Sequence, residues 1–230
     1  MTTAEPQAFR NAGAHEVSGL RPELDAMLAR AIVGCRTLLD HGCGFGGWTA
    51  FFLRRNSQFC YRAYDPDRDG EAHTRSLAPK RYDETLERFD VIVCFGVLEL
   101  LPEAEQVALL RQFAGQLNQG GRCLVQYNVF NLLAPRWFVF WLAGRGRAKA
   151  FHQRFRFNRT YFGYRKVNEI FARGGFTIVE RQVNGFWHKL PRRLDRMLSD
   201  FIPARHFYSQ FFYRLEPIDA AAQIAQGDAC

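Results

Sequence analysis

The chain has 230 residues, a formal net charge of +8 and 47% apolar residues, enough for one α/β domain with a large core. No apolar run approaches the ~20 residues of a membrane-spanning helix. The six cysteines include no C-x-x-C pair, which argues against a zinc ribbon or a disulfide framework.

In chain order, residues 1–21 read as an N-terminal arm. Met1–Gly19 carries acids, a Pro and no apolar stretch, so no leader is expected and the expected location is cytoplasmic. Pro22–Val33 is predicted helical, with Leu24, Leu28 and Ile32 on one face. Thr37–His41 is a short strand, followed by Gly42, Gly44 and Gly46 at alternate positions and a helix over Trp48–Asn56. Phe59–Tyr64 is a strand ending at Asp65, with Pro66 next. Asp90–Phe95 is a buried strand within the block Phe89–Glu103. Glu103–Leu117 is a helix closed by Gly120-Gly121, and Arg122–Tyr127 is a strand. Val167–Arg173 is a helix, Phe176–Val183 a strand, Pro191–Phe201 a helix and Phe207–Leu215 a final strand. Residues 217–230 read as a flexible polar tail. Strands alternating with helices predict a doubly wound sheet.

The glycine loop carries the strongest chemical signal. Gly has no Cβ and tolerates positive φ, so backbone N–H groups can approach a ligand closely. The loop leads into a helix N-terminus, where unpaired N–H groups favour an anion. Gly42, Gly44 and Gly47 also fit the dinucleotide pattern G-x-G-x-x-G. Asp40, two residues before the first glycine, argues against that reading, because a dinucleotide-binding strand usually stays apolar there. An acid at Asp65 suits a ribose diol in either case.

The three blocks Asp40–Gly47, Phe59–Asp65 and Phe89–Glu103, in this order, resemble class I S-adenosylmethionine-dependent methyltransferases. Phe89–Glu103 (FDVIVCFGVLELLPE) resembles the fourth motif of small-molecule members, such as the quinone-biosynthesis methyltransferases. The resemblance implies a Rossmann-like seven-stranded sheet with the last strand antiparallel, and S-adenosylmethionine as cofactor. It implies that Asp40, Gly42, Cys43, Gly44 and Gly46 surround the methionine end. Asp65 and Pro66 would sit at the ribose, and Phe95, Gly96, Val97 and Leu98 would line the wall beside adenine and methionine. The chain departs from the family in a short Asp65–Phe89 interval, and in Leu100 where many relatives carry His. No His/Cys cluster has metal-ligand spacing, so no metal is expected.

Residues 130–166 are out of character with this plan. They hold nine basic residues, Arg136, Arg145, Arg147, Lys149, Arg154, Arg156, Arg159, Arg165 and Lys166, and no acid. Aromatic residues are dense, among them Trp137, Phe138, Phe140 and Trp141. The insertion follows the strand Arg122–Tyr127, the family's fifth, and there it would overlie the acceptor pocket. Three readings stand: a lid over a small soluble acceptor, a lid resting on an anionic membrane surface, and a nucleic-acid surface. Amino-methylating nucleic-acid enzymes usually carry an Asn/Asp-Pro-Pro-aromatic turn in the fourth motif. This chain has Cys94-Phe95-Gly96-Val97, which argues against nucleic acid as a partner.

A sulfonium is already an activated leaving group, so positioning can do most of the catalysis, helped by a general base if the acceptor is a hydroxyl. His152 and Tyr161, in the insertion, are the candidate catalytic residues. His41 is expected to face packing. Tyr127 and Asn128 end the fifth strand, so one of them should face the pocket. Glu99 should either orient the loop or cap the next helix. The reading is a single-domain methyltransferase acting at oxygen on a small or lipid-like acceptor, neutral or anionic. The alternatives are an RNA methyltransferase and a non-catalytic binding protein on the same fold.

Overall fold

The structure, a computed structural model, describes residues 17, 20–44, 46–65, 87–129, 162–183 and 210–218. Helix α1 (Pro22–Ala31) starts at a proline with acids in its first turn, Glu23 and Asp25, as the helix dipole favours. Strand β1 (Thr37–His41) runs through the glycine loop into α2 (Gly47–Arg55), and β2 (Cys60–Tyr64) follows. Strand β3 (Phe89–Phe95) ends in a turn containing a 3₁₀ helix at Leu98–Leu100, ahead of α3 (Glu103–Gln116) and β4 (Leu117–Asn128). Helix α4 (Tyr164–Arg173), β5 (Phe176–Val183) and β6 (Gln210–Pro217) complete the described elements.

Six strands form one sheet in the order β2-β1-β3-β4-β6-β5. The pairings β1–β2, β1–β3 and β3–β4 are parallel, and β6 is antiparallel to both β4 and β5. Residues 66–86 lie outside the described residues, so the expected seventh strand has no described counterpart. The same holds for the helix expected over Pro191–Phe201 and for 130–161 of the insertion. The helix expected from Val167 begins three residues earlier, so Tyr164, Arg165 and Lys166 belong to α4. The final strand runs to Pro217, and Ile218 N–H donates to Gly175 O at 2.8 Å, so the tail is anchored past its expected start. Strand β4 begins at Leu117, five residues before the expected Arg122, so Leu117 belongs to the strand and not to the helix; Leu117 pairs with Phe89, and the ladder slips before Val91–Arg122.

The strand period of two sorts side chains onto two faces. Leu39, Ile92, Cys94, Cys123, Val125, Tyr127, Phe211 and Tyr213 face α3 and α4. Leu38, Val91, Val93, Phe95, Leu124 and Phe212 face α1 and α2. Covered on both sides, β3 is apolar without a break from Val91 to Phe95. At the amino edge of the sheet, Asp90 Oδ2 accepts from Arg36 N (2.7 Å) and Thr37 N (3.0 Å), which fixes β1 against β3.

Three described positions border the opposite, carboxyl edge. Strand β4 ends there, β5 ends at Val183, and Gln210 of antiparallel β6 pairs with Asn128. The glycine loop leaves β1 at this edge, where ligands bind in open α/β sheets.

Candidate functional site

The glycine loop is fastened to the end of β2. Gly42 N and Cys43 N both donate to Tyr64 O, at 2.6 and 3.0 Å. Gly44 N donates to Asp65 Oδ2 at 2.8 Å. Two sequence-predicted residues 21 positions apart are therefore one unit, a carboxylate held against an upturned backbone amide.

The glycines differ in what they leave open. Gly42 has φ +77°, and a Cβ there would lie 2.1 Å from Val97 Cγ2. Its close approach is to the turn after β3, not to a ligand. Gly44 has φ +51°, and among the described residues nothing lies within 4 Å of its Cβ position, which leaves a cradle beside Asp65 among them. Gly46, in the left-handed region, caps α2.

Asp40 and His41 leave β1 on opposite faces. Asp40 is buried, and Thr49 Oγ1 donates to its Oδ2 at 2.5 Å. Thr49 stands in the first turn of α2, so Asp40 ties the strand to the helix beyond the loop. Burial pushes the Asp40 carboxyl up to about 6, against the Thr49 hydrogen bonds and with help from the charge of Asp65. His41 packs between Tyr64 and Phe113, with ring centroids at 5.2 and 5.1 Å, as expected of a packing residue. Burial lowers its imidazole to about 4, against the pull of Asp65.

The wall after β3 divides. Leu98 is fully buried in the core facing α3 and α4, and Phe95 is buried against Trp48 and Phe212. Gly96 and Val97 are half-buried. Glu99 is wholly buried and accepts a hydrogen bond from Asn128 Nδ2, joining the turn after β3 to the end of β4. Tyr127 points the other way. Its hydroxyl donates to Gln106 Oε1 at 2.9 Å, Gln106 Nε2 donates to Leu101 O at 2.9 Å, and burial raises the phenol. Of the two residues ending β4, Asn128 is therefore the one turned toward the Glu99 turn. Pro66, His152 and Tyr161 lie outside the described residues.

Sequence reasoning missed Thr49 as the partner of Asp40. The signal was a threonine in the first turn of a helix that follows a buried acid. Among the described residues, no group of three or more His, Cys, Asp or Glu is placed to hold a metal. No described helix is long and apolar enough to cross a membrane.

A family model described as "Methyltransferase domain" matches residues 12–181, which span the glycine loop, Asp65 and the turn after β3. The chain belongs to the methyltransferase-domain family. It is a class I S-adenosylmethionine-dependent methyltransferase, and S-adenosylmethionine is its cofactor. The open cradle at Gly44, with the Asp65 carboxylate beside it, fits such a molecule.

Solved structures share the methyltransferase's fold. The mitomycin 7-O-methyltransferase MmcR is 17% identical with a TM-score of 0.56, over 83% of this chain and 52% of that one. RosA from Streptomyces davawensis, an N,N-8-amino-8-demethyl-D-riboflavin dimethyltransferase, is 18% identical with a TM-score of 0.53, over 85% and 55%. CalO1, a methyltransferase in calicheamicin biosynthesis described in its SAH-bound form, is 16% identical with a TM-score of 0.52, over 83% and 52%. The methyltransferase thus spans about half the length of these proteins. No curated protein matches it in sequence.

Proposed function

We propose that this methyltransferase transfers a methyl group to a hydroxyl oxygen of a small molecule. The observation that carries the reading is the Asp65–Gly44 unit, with space left open above Gly44 by the described residues. When bound, S-adenosylmethionine supplies a methyl group already activated on a positively charged sulfur. Asp65 would accept hydrogen bonds from the ribose hydroxyls while Gly44 holds its other side. Gly42, Cys43, Gly44 and Gly46 would shape the backbone around the methionine end, with Asp40 fixing the loop through Thr49. Gly96 and Val97 would close the far wall. His152 and Tyr161 are the proposed proton acceptors for the hydroxyl. The O-methyltransferase among the structural neighbours agrees with oxygen as the methylated atom.

Asp65→Ala should weaken S-adenosylmethionine binding by roughly 1.5–3 kcal/mol, the value of charge-assisted hydrogen bonds, which is about 10- to 150-fold in Kd. Asp65→Asn keeps an acceptor for Gly44 N–H and should fall between the two. Calorimetry checks both. Binding of NAD in place of S-adenosylmethionine, or unchanged affinity in Asp65→Ala, refutes the assignment.

We further propose, from the nine basic residues of 130–166, a cytoplasmic protein whose insertion meets an anionic membrane surface that presents the acceptor. Each Arg or Lys near such a surface adds about 1 kcal/mol, and salt weakens the contact. Wild type should sediment with anionic liposomes in low salt, and a Trp137→Ser, Trp141→Ser double variant should not. An RNA gel shift without liposome binding points to the nucleic-acid alternative. Neither signal leaves a lid over a soluble acceptor.

A further inference from the structure

Gln126, Tyr127 and Asn128, the last three residues of β4, each hold the turn after β3. Gln126 O accepts from Gly96 N at 3.3 Å, at the start of the turn. Asn128 Nδ2 donates to Glu99, in the middle of it. Tyr127, on the opposite face of the strand, reaches the end of the turn by way of Gln106. Its hydroxyl donates to Gln106 Oε1, and Gln106 Nε2 donates to Leu101 O, both at 2.9 Å. Between these ties the backbone of the turn closes on itself, Leu100 N donating to Val97 O at 2.8 Å and Leu101 N to Leu98 O at 3.0 Å. The turn therefore moves as one piece. Its Val97 side chain lies against Gly42 of the glycine loop, where a Cβ on the glycine would overlap it.

Gln106 is the member of this set that packing does not explain. It is wholly buried on α3, beside apolar residues of the same helix that include Val107 and Leu110. A leucine would be buried there with less loss of hydration. What the amide adds is direction. A hydrogen bond fixes a distance and an angle, whereas apolar contact lets two surfaces slide.

We propose that Gln106 is a positioning residue for the methyl donor: it holds Leu101, and through the turn Val97, at the separation from the glycine loop that S-adenosylmethionine fits. This rests on the methyltransferase reading of the site, in which Gly96 and Val97 wall the cofactor. Gln106 does not touch the cofactor. It sets the width of the site from behind the wall.

The test titrates S-adenosylhomocysteine into the full-length protein by calorimetry, with circular dichroism to show that each variant is folded. Gln106→Leu should weaken binding by about tenfold, because the end of the turn is released. Tyr127→Phe leaves the bond to Leu101 but frees the far end of the amide, and should weaken binding by about threefold. Gln106→Glu separates positioning from core filling. A carboxyl group at 106 still accepts from Tyr127, but it donates to Leu101 O only while it keeps its proton. Burial favours the proton there, as do the charges of Glu99 and Glu103, which reach the Tyr127 phenol, while Lys166 and Arg173, paired with Glu103, oppose it. Measured against wild type at the same pH, Gln106→Glu should bind equally well at pH 5 and about tenfold more weakly at pH 8. A residue that only fills space gives no such profile. The proposal is overturned if Gln106→Leu and Tyr127→Phe bind as wild type does, or if folded Gln106→Glu follows the wild-type pH profile. Failure of wild type to bind S-adenosylhomocysteine instead overturns the cofactor assignment, and this proposal with it.

Discussion

Gly42→Ala should destabilise the protein by about 3 kcal/mol, which lowers Tm by roughly 6–12 °C for a chain of this size. Two causes add. A methyl group at Gly42 stands 2.1 Å from Val97 Cγ2, and φ +77° is a conformation that L side chains rarely adopt. Val97 has little freedom to yield. Its carbonyl accepts from Leu100 N at 2.8 Å, and Gly96 N donates to Gln126 O at 3.3 Å. Adding Val97→Ala to Gly42→Ala should recover part of the loss, because the clash then disappears and only the backbone term remains. Gly44→Ala is the control. Among the described residues it meets nothing within 4 Å, so it should unfold only slightly more easily, by about 1 kcal/mol, while losing S-adenosylmethionine affinity. Thermal melts with and without cofactor separate the two. Equal stability of Gly42→Ala and Gly44→Ala would show that the loop does not pack on Val97.

The second expectation is a cancellation in pH dependence. Asp40 has an ordinary value of 3.8 and rises to about 6 in the fold. Between pH 4 and 6 the unfolded carboxyl has lost its proton and the folded one keeps it, so stability falls as pH rises. His41 has an ordinary value of 6.5 and falls to about 4. Over the same window the unfolded imidazole is charged and the folded one is neutral, so stability rises with pH. Each effect is about 3 kcal/mol over its window, and they oppose. The pair therefore leaves the wild-type profile nearly flat from pH 4 to 6. His41→Phe should reveal a fold that weakens as pH rises through that window. Asp40→Asn should reveal one that strengthens up to about pH 6.5. Urea denaturation at pH 4, 5 and 6 measures the slopes, and parallel profiles for the three proteins would refute the cancellation.

The parts legible in the sequence were those set by local chemistry. Alternating glycines after a short strand require unusual φ whatever surrounds them, so the loop was readable from Asp40 to Gly46. An acid closing the second strand marked Asp65, and the apolar run Val91–Phe95 marked β3. Side-chain partnership across the sheet was not legible. Glu99 and Asn128 were each noted, but their hydrogen bond depends on the register of β4 against the turn after β3. The face taken by Tyr127 follows from the same register, which the sequence does not print. Gly42 looked like a residue cleared for a ligand, yet a side chain 55 positions later fills the space.

Antiparallel β6 has a consequence for inheritance. Because β6 runs against its neighbours, β5 leaves and β6 returns at the same border of the sheet that β4 leaves. The long intervals 130–161 and 184–209 are therefore both attached where the glycine loop is, and neither interrupts a described ladder. Exchanging either interval for that of another family member leaves every described strand pairing intact. Val129/Phe162 and Val183/Gln210 are therefore natural seams for chimeras, because no described strand pairing crosses them.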